Sequence, residues 1–341
     1  MNVIELLNTI RDNATAQYQN RIPEATRTNV EDLRMAMIDD DNVSVANEFM
    51  SALLNKCVKS VVISKMFSNP LKALKKGKKP LGDTVEEIYV NFLKGSTYDP
   101  EGKELLSRSL PDVKTVYHRM NYKQKYKVTV NQPELSKAFT SYDALEKFIS
   151  NIIASLHNSA ELDEFINMKQ IIASAVENNA MKKITIADPT TSEQNAKDFI
   201  LAVKTTSGLM VYPSEDFNGY LNVQATDLKP ITTFSRYNEQ VLILDTATNT
   251  KVAVDVLAST FNMSVAEFNE TKKIVIDTFP DKNIRAVIVD EQFFQIFDDA
   301  VFFKSFENPD GMYNNYWLHV WQTQAYSPLV NAVAFTVAEE A

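Results

Sequence analysis

A chain of 341 residues that is 45% hydrophobic can bury one elaborate core or two modest ones, and no run of about 18 apolar residues marks a membrane span. A formal net charge of −9 argues against nucleic-acid binding as the main task, and the single Cys57 excludes an internal disulfide or a thiolate metal cluster. The seven glycines are too scattered to build a GxGxxG or GxxxxGKS/T phosphate loop, which removes the nucleotide enzymes of those classes.

Residues 1–65 open with an amphipathic stretch (Val3, Ile4, Leu6, Leu7, Ile10), pass through polar sequence to Asp39-Asp40-Asp41, and resume as a predicted helix over 44–58. A β-branched run, 58–63, follows. These short elements suit either an arm that folds against something else or an N-terminal subdomain. The first residues lack the basic start and apolar centre of a secretory signal, so the protein is expected to work where it is made.

Residues 69–95 carry the densest basic cluster: Lys72, Lys75, Lys76, Lys78 and Lys79. A basic run marks a solvated face or an acidic partner, and in a chain this acidic another copy of itself is a candidate. Residues 84–93 alternate as a strand (Val85, Ile88, Val90, Phe92), with Glu86 and Glu87 blurring the period. After a polar tip, residues 112–130 return as strand pattern. This outlines a hairpin of about 45 residues, poor in core-sized side chains. Its edges require a cover, which predicts a subunit contact that includes the lysines, Glu86 and Glu87.

Residues 141–178 read as one helix, about 55 Å long at ~1.5 Å per residue. Leu145, Phe148, Ile149, Ile152, Ile153, Leu156, Phe165, Ile166, Ile171 and Ile172 recur mostly three or four apart, as a buried stripe requires. Ser141 can cap the start and Asn178-Asn179 the end. Glu146, Lys147, Glu161, Asp163, Glu164 and Lys169 leave another face exposed. Downstream, strands at 183–187, 240–244, 273–278, 285–290 and 292–297 alternate with helices at 192–205, 252–261 and 264–268, which describes a compact α/β lobe around a small sheet. Residues 210–226 read as loop.

From Val301 long strand pattern resumes, with aromatics at Tyr313, Tyr316, Trp317, Trp321 and Tyr326, and a last strand over 331–337. These strands are the expected partners of the long helix, with Ile152, Ile153, Leu156, Trp317 and Trp321 as the shared core. No Lys or Arg interleaves residues 312–327, so the aromatics read as sheet core rather than a base-stacking platform. His118, His157 and His319 show no metal-ligand spacing, no GxSxG occurs, and neither a catalytic residue, a cofactor nor a metal is expected.

The stretches NPLKALKKGKKPLGDTVEEIY (69–89), PDVKT (111–115), NSAELDE (158–164), DVLASTFNM (255–263), NPDGMYNNY (308–316), HVWQ (319–322) and NAVAF (331–335) together resemble the major capsid proteins of the phi-twenty-nine-like podophages. The resemblance runs in register from about residue 55 to the end. It implies an α+β Johnson fold, also called HK-ninety-seven-like. On that plan residues 1–65 are an N-terminal arm, 66–140 an E-loop hairpin with its flanks, and 141–181 the P-domain spine helix. Residues 182–298 are the A-domain and 299–341 the closing P-domain strands. The family type carries a C-terminal Ig-like domain, which this sequence does not show after residue 337. The resemblance further implies a non-enzymatic shell protein that assembles with itself as hexamers and pentamers in the host cytoplasm. Scaffolding and portal proteins would be assembly partners, and packaged double-stranded DNA would be touched non-specifically, without any membrane. An encapsulin-like compartment of the same fold is the first alternative and a soluble α/β enzyme the second.

Overall fold

The computed structural model describes residues 3–29, 32–33, 36, 48–49, 52, 67–79, 82, 84–98, 100–102, 106, 108–131, 137–138, 142–223, 229–252, 272–308, 310–311 and 313–338. The helices expected at 252–261 and 264–268, most of that at 44–58, and Cys57 lie outside these residues. In chain order, α1 is Val3–Asp12, α2 is Ala16–Arg21, and a single 3-10 turn, Lys72–Leu74, leads into β1, Gly77–Lys78. β2 (Thr84–Val90), β3 (Val113–Arg119) and β4 (Tyr122–Asn131) precede the long helix α3, Tyr142–Glu177. Then come β5 (Lys182–Ile186), α4 (Glu193–Met210), α5 (Tyr220–Val223), β6 (Gln240–Asp245), α6 (Thr246–Lys251), β7 (Lys273–Ile276) and β8 (Ile284–Asp290). β9 (Phe294–Asn308), β10 (Tyr313–Tyr326) and β11 (Ala332–Val337) close the chain.

The 36 residues of α3 end as their sequence demands. Asn179 adopts φ 55°, the left-handed conformation that Asn tolerates better than most residues. The Asn179 amide then bonds Val176 O at 3.2 Å and the Ala180 amide reaches back to Ala175 O at 2.8 Å, so the last turn's carbonyls find donors. α4 begins on Ser192, whose side chain accepts from the Asn195 amide, a cap that contributes about 1 kcal/mol.

The chain divides into two compact units, one comprising residues 1–69, 122–164 and 298–322, the other 70–121, 165–297 and 323–341. In the first unit, Ile152 and Leu156 of α3 are buried with Val130, Tyr316 and Leu318, and Tyr126, Val128, Phe303 and Val320 pack against them. Leu7 and Ile10 of α1, Tyr18 of α2 and Ile22 just after it enter the same core. Asn8 pins that arm by exchanging two hydrogen bonds with the Ala25 backbone, at 2.7 and 3.1 Å, and Arg11 donates to Ile22 O at 2.8 Å. The start of the arm is therefore part of its own subunit's core. Glu164, expected on the exposed face, is buried. Its carboxylate accepts from Gln322 Nε2 at 2.7 Å and from Asn69 Nδ2 at 3.3 Å. The Ile153 side chain lies outside the described residues.

β10 pairs antiparallel with β4 from Tyr313↔Asn131 to Gln322↔Tyr122. Because strand residues alternate faces, Tyr316, Leu318 and Val320 turn toward α3, while Trp317, His319 and Trp321 turn away. Trp317 and Trp321 are half-buried and stand outside the core that the sequence assigned them. The 112–130 pattern likewise resolves differently. It breaks at Met120-Asn121 into β3, which pairs with β2, and β4, which pairs with β10.

In the second unit a five-stranded mixed sheet runs in the order β5-β11-β8-β6-β7. All six residues of β6 are buried. Phe199 and Val203 of α4 pack on one face with Leu242, Leu244, Ile288, Val333 and Phe335, and Phe199 meets Phe335 edge-on at 5.6 Å. β11, placed by the sequence among the closing strands, sits between β5 and β8 within this sheet. Lys169 of α3, expected in solvent, is 8% exposed. Its ammonium lies 2.8 Å from Asp277 and 4.5 Å from the centre of the Phe165 ring.

Candidate functional site

The hairpin of β2 and β3 is paired from Thr84↔Arg119 to Val90↔Val113, and this register sorts its side chains onto two faces. One face meets its own unit. Tyr89 and Val116 pack on Tyr220, Ile231 and Leu329. The Tyr89 hydroxyl donates to Thr232 O at 2.5 Å, and Asn91 both donates to Pro230 O (3.0 Å) and accepts from the Thr232 amide (3.1 Å). Glu87 accepts from buried Ser327 Oγ at 2.5 Å and lies 2.9 Å from His118 Nε2. Glu87, expected at a subunit contact, is thus engaged within its own unit, and the hairpin root belongs to the monomer's core. The carboxylate stands between hydroxyl and imidazole, so His118 is not placed to take the Ser327 proton, as nucleophilic catalysis would require.

The opposite face is mixed: Thr84, Glu86, Thr115 and Arg119 share it with a group of exposed apolar side chains. Ile88 is 59% exposed, and Val90, Val113 and Tyr117 are also exposed; beyond the end of β2, Phe92 lies 6.3 Å from the Phe234 ring of the same unit. Toward the tip Tyr98 is 87% and Leu106 93% exposed, with Leu110 nearly as open. Glu86 lies on this face and accepts from the Tyr117 hydroxyl at 3.1 Å. A group of large apolar side chains this open on one hairpin is a candidate contact surface.

The lysine cluster is divided. Lys72 and Lys78 are exposed, whereas Lys75, Lys76 and Lys79 are half-buried. Lys76 donates to Glu291 O and Gln292 Oε1, both at 3.3 Å, and Lys79 to Thr323 Oγ1 at 3.4 Å. Burial holds the Lys76 ammonium below the ordinary lysine value, against the nearby Glu291, Asp290 and Glu87.

A second surface was not anticipated. Across the β4–β10 ladder Lys127 faces Trp317, Lys125 faces His319 and Lys123 faces Trp321. The Lys123 ammonium lies 4.8 Å from the Trp321 ring centre and Lys127 5.8 Å from that of Trp317. Phe302 of β9 stacks on His319 at 4.8 Å and meets Trp321 edge-on at 5.2 Å. The result is a basic, aromatic sheet face. Its signal was the spacing Lys123, Lys125, Lys127, one face of a strand. It was missed because basic residues were sought only within the aromatic strand's own sequence.

Among the described residues no group of His, Cys, Asp and Glu could hold a metal ion, and no helix is long and apolar enough to cross a membrane. The family model described as Phi29-like phage major capsid protein matches residues 7–336. The chain belongs to that family.

The major capsid protein of Bacillus phage B103 is 34% identical over 342 residues, covering 98% of this chain and 73% of the relative. That of Bacillus phage PZA is 34% identical over 337 residues, covering 97% and 72%. Among solved structures, the capsid of Staphylococcus phage Andhra superposes with a TM-score of 0.66 at 14% identity, over 82% of this chain and 87% of that one. The fold is therefore the Johnson, or HK-ninety-seven-like, capsid fold. The protein is a structural, shell-forming major capsid protein that associates with copies of itself into capsomers, as part of the virion.

Proposed function

We propose that this capsid protein forms hexamers and pentamers of an icosahedral shell around double-stranded DNA, with the apolar face of the β2–β3 hairpin laid over a neighbouring copy. The observation that carries this is the run from Ile88 to Tyr117, whose large side chains are open to solvent in the isolated chain although the other face of the same hairpin is packed. Covering such side chains releases about 25 cal/mol per Å² of apolar area, and an interface repeated over a closed shell multiplies that term. The chain performs no catalysis. Scaffolding and portal proteins assist assembly in the host cytoplasm. Contact with the packaged DNA is non-specific, as suits a container wall carrying a net charge of −9.

Imaging the expressed protein by negative stain tests this, together with analysis of what the particles enclose. Closed shells that take up DNA are expected. Shells that instead retain a co-expressed enzyme would favour a cargo compartment of the same fold, and protein that stays monomeric at every concentration would overturn the proposal.

A further inference from the structure

On one face of β4, Lys123, Lys125 and Lys127 alternate along the strand and stand opposite Trp321, His319 and Trp317 of β10. None of the six is acidic. All three lysines are exposed, while the two tryptophans and His319 are half-buried. Residues two apart on a strand share a face about 7 Å apart, so the lysines form a row about 14 Å long. The ends of that row are held in place. The ammonium groups of Lys123 and Lys127 lie over the rings of Trp321 and Trp317, 4.8 and 5.8 Å from their centres. The other basic cluster is built differently. Lys75 and Lys76 border a cavity of about 420 Å³ together with Glu291, and Lys76 donates to the chain at Glu291 and Gln292, so residues 72–79 offer no single row.

The rings on this face serve the lysines rather than a ligand. Each indole already meets an ammonium, and the His319 ring is stacked on Phe302 at 4.8 Å with 12° between the planes. A base seeking an aromatic platform finds these faces engaged. What the surface presents outward is a line of positive charge, which holds phosphate and reads no base.

Two polyanions fit such a line, the carboxylates of an extended polypeptide and the phosphates of a duplex. A polypeptide would need Asp or Glu at three alternating positions to meet all three lysines, and no stretch of this chain has them. A duplex carries a phosphate about every 3.4 Å along each strand, so a fixed row of ammonium groups meets phosphate in any register.

We infer that each subunit touches packaged double-stranded DNA through this face, with Lys123, Lys125 and Lys127 on the phosphates of one strand. The inference rests on the proposal that the shell encloses such DNA, and it confines the contact to one stripe of an acidic chain. Three contacts per copy hold a duplex weakly and leave it free to slide.

The test follows binding of the unassembled chain to a short DNA duplex of mixed sequence as salt is raised, by fluorescence anisotropy. At about 0.9 per phosphate contact, Lys123→Gln/Lys125→Gln/Lys127→Gln should flatten the slope of log K against log salt by about 2.7. The corresponding triple Arg variant, which keeps the charge, and the control pair Lys72→Gln/Lys78→Gln should keep the wild-type slope. Gln shortens the stems that reach the tryptophans; should the triple Gln variant fail to fold, Lys125→Gln alone must flatten the slope by about 0.9. Negative stain scores assembly in parallel, and the triple Gln variant should form shells at wild-type yield. An unchanged slope would place the DNA contact elsewhere, and tighter binding of single-stranded DNA would mean that the rings receive bases. Tighter binding of poly-glutamate than of the duplex would assign the row to an acidic protein segment, and loss of shells from a folded Gln variant would make the face a subunit contact. Each of these overturns the inference and leaves the shell reading standing, whereas wild-type protein that forms no shells contradicts that reading whatever the slopes.

Discussion

Asp188 joins three elements through one carboxylate. Oδ1 accepts from the Thr190 amide and hydroxyl at 2.8 and 2.7 Å, and Oδ2 lies 2.5 Å from Arg285 Nη2. The residue thereby ties the end of β5 to the start of β8 and to the turn before α4. Burial raises the carboxyl's pKa, but the Thr190 bonds and the Arg285 guanidinium together outweigh it and leave it lowered. A carboxyl lowered in the folded state stabilises above its unfolded pKa, and that stability is lost as pH falls through the folded value. Asp188→Asn should therefore lose about 1–3 kcal/mol at neutral pH. The gap from wild type should close as pH drops below the ordinary aspartate value of 3.8. Urea midpoints at pH 7 and pH 3 check this, and a pH-independent gap would assign the loss to packing instead. Gly219 is a second sensitive position. A Cβ there would run into the Ala180 backbone, which cannot yield as a flexible side chain can. Gly219→Ala should cost about 1–3 kcal/mol, visible as a lowered melting temperature.

At the scale of elements, the spine helix was the most legible part of the chain. Uninterrupted apolar spacing gave its position, and the Asn178-Asn179 pair gave its end, one residue beyond Glu177. Which charged residues it buries was not legible, because that depends on distant parts of the sequence. Glu164 is met by Asn69 and Gln322, and Lys169 lays its stem on Phe165 to reach Asp277. The consequence is measurable. Leu156→Ala should cost about 2–5 kcal/mol, as a buried leucine does. Lys169→Ala should cost about 1 kcal/mol, reduced because Asp277 is largely exposed. Leu162→Ala, on the open face, should change stability little. Denaturant midpoints of the three variants give the order directly, and equal losses would mean that the helix is buried all round. In the strands the difficulty was parity. Counting apolar residues in β2 picks out Ile88 and Val90, which face away from the subunit, while Glu87 and Tyr89 face inward. A strand that turns its aliphatic side chains outward and its carboxylate inward inverts the usual rule that the apolar face turns to its own core.

At the scale of the whole molecule, the residue pattern alone outlined the long helix and the α/β lobe, which each bury enough of their own surface to leave one, while the fold itself came from the resemblance of motifs in register to a known family. The contact surfaces were harder to read. Glu86, Glu87 and the lysines were weighed as one linear patch, yet the chain spreads them among a hydrogen-bonded hairpin root, a cavity wall and open solvent. The lysine–tryptophan face exists only because β4 lies beside β10, which are 186 residues apart where Thr129 bonds Asn315. No local window of sequence contains that pairing. The root of the β2–β3 hairpin is packed on its own unit, which leaves its outward face and its tip exposed.

That division sets the decisive measurement: sedimentation velocity and circular dichroism of the wild type beside Ile88→Ser/Val90→Ser/Val113→Ser. The substitutions touch only the outward row of the hairpin, so the variant should keep the wild-type spectrum and melting temperature and yet sediment as a monomer of 38.6 kDa under conditions where the wild type forms particles. Particles of normal size and yield from the variant, or loss of the folded spectrum, would contradict the claim that this face is held in reserve for a neighbouring subunit.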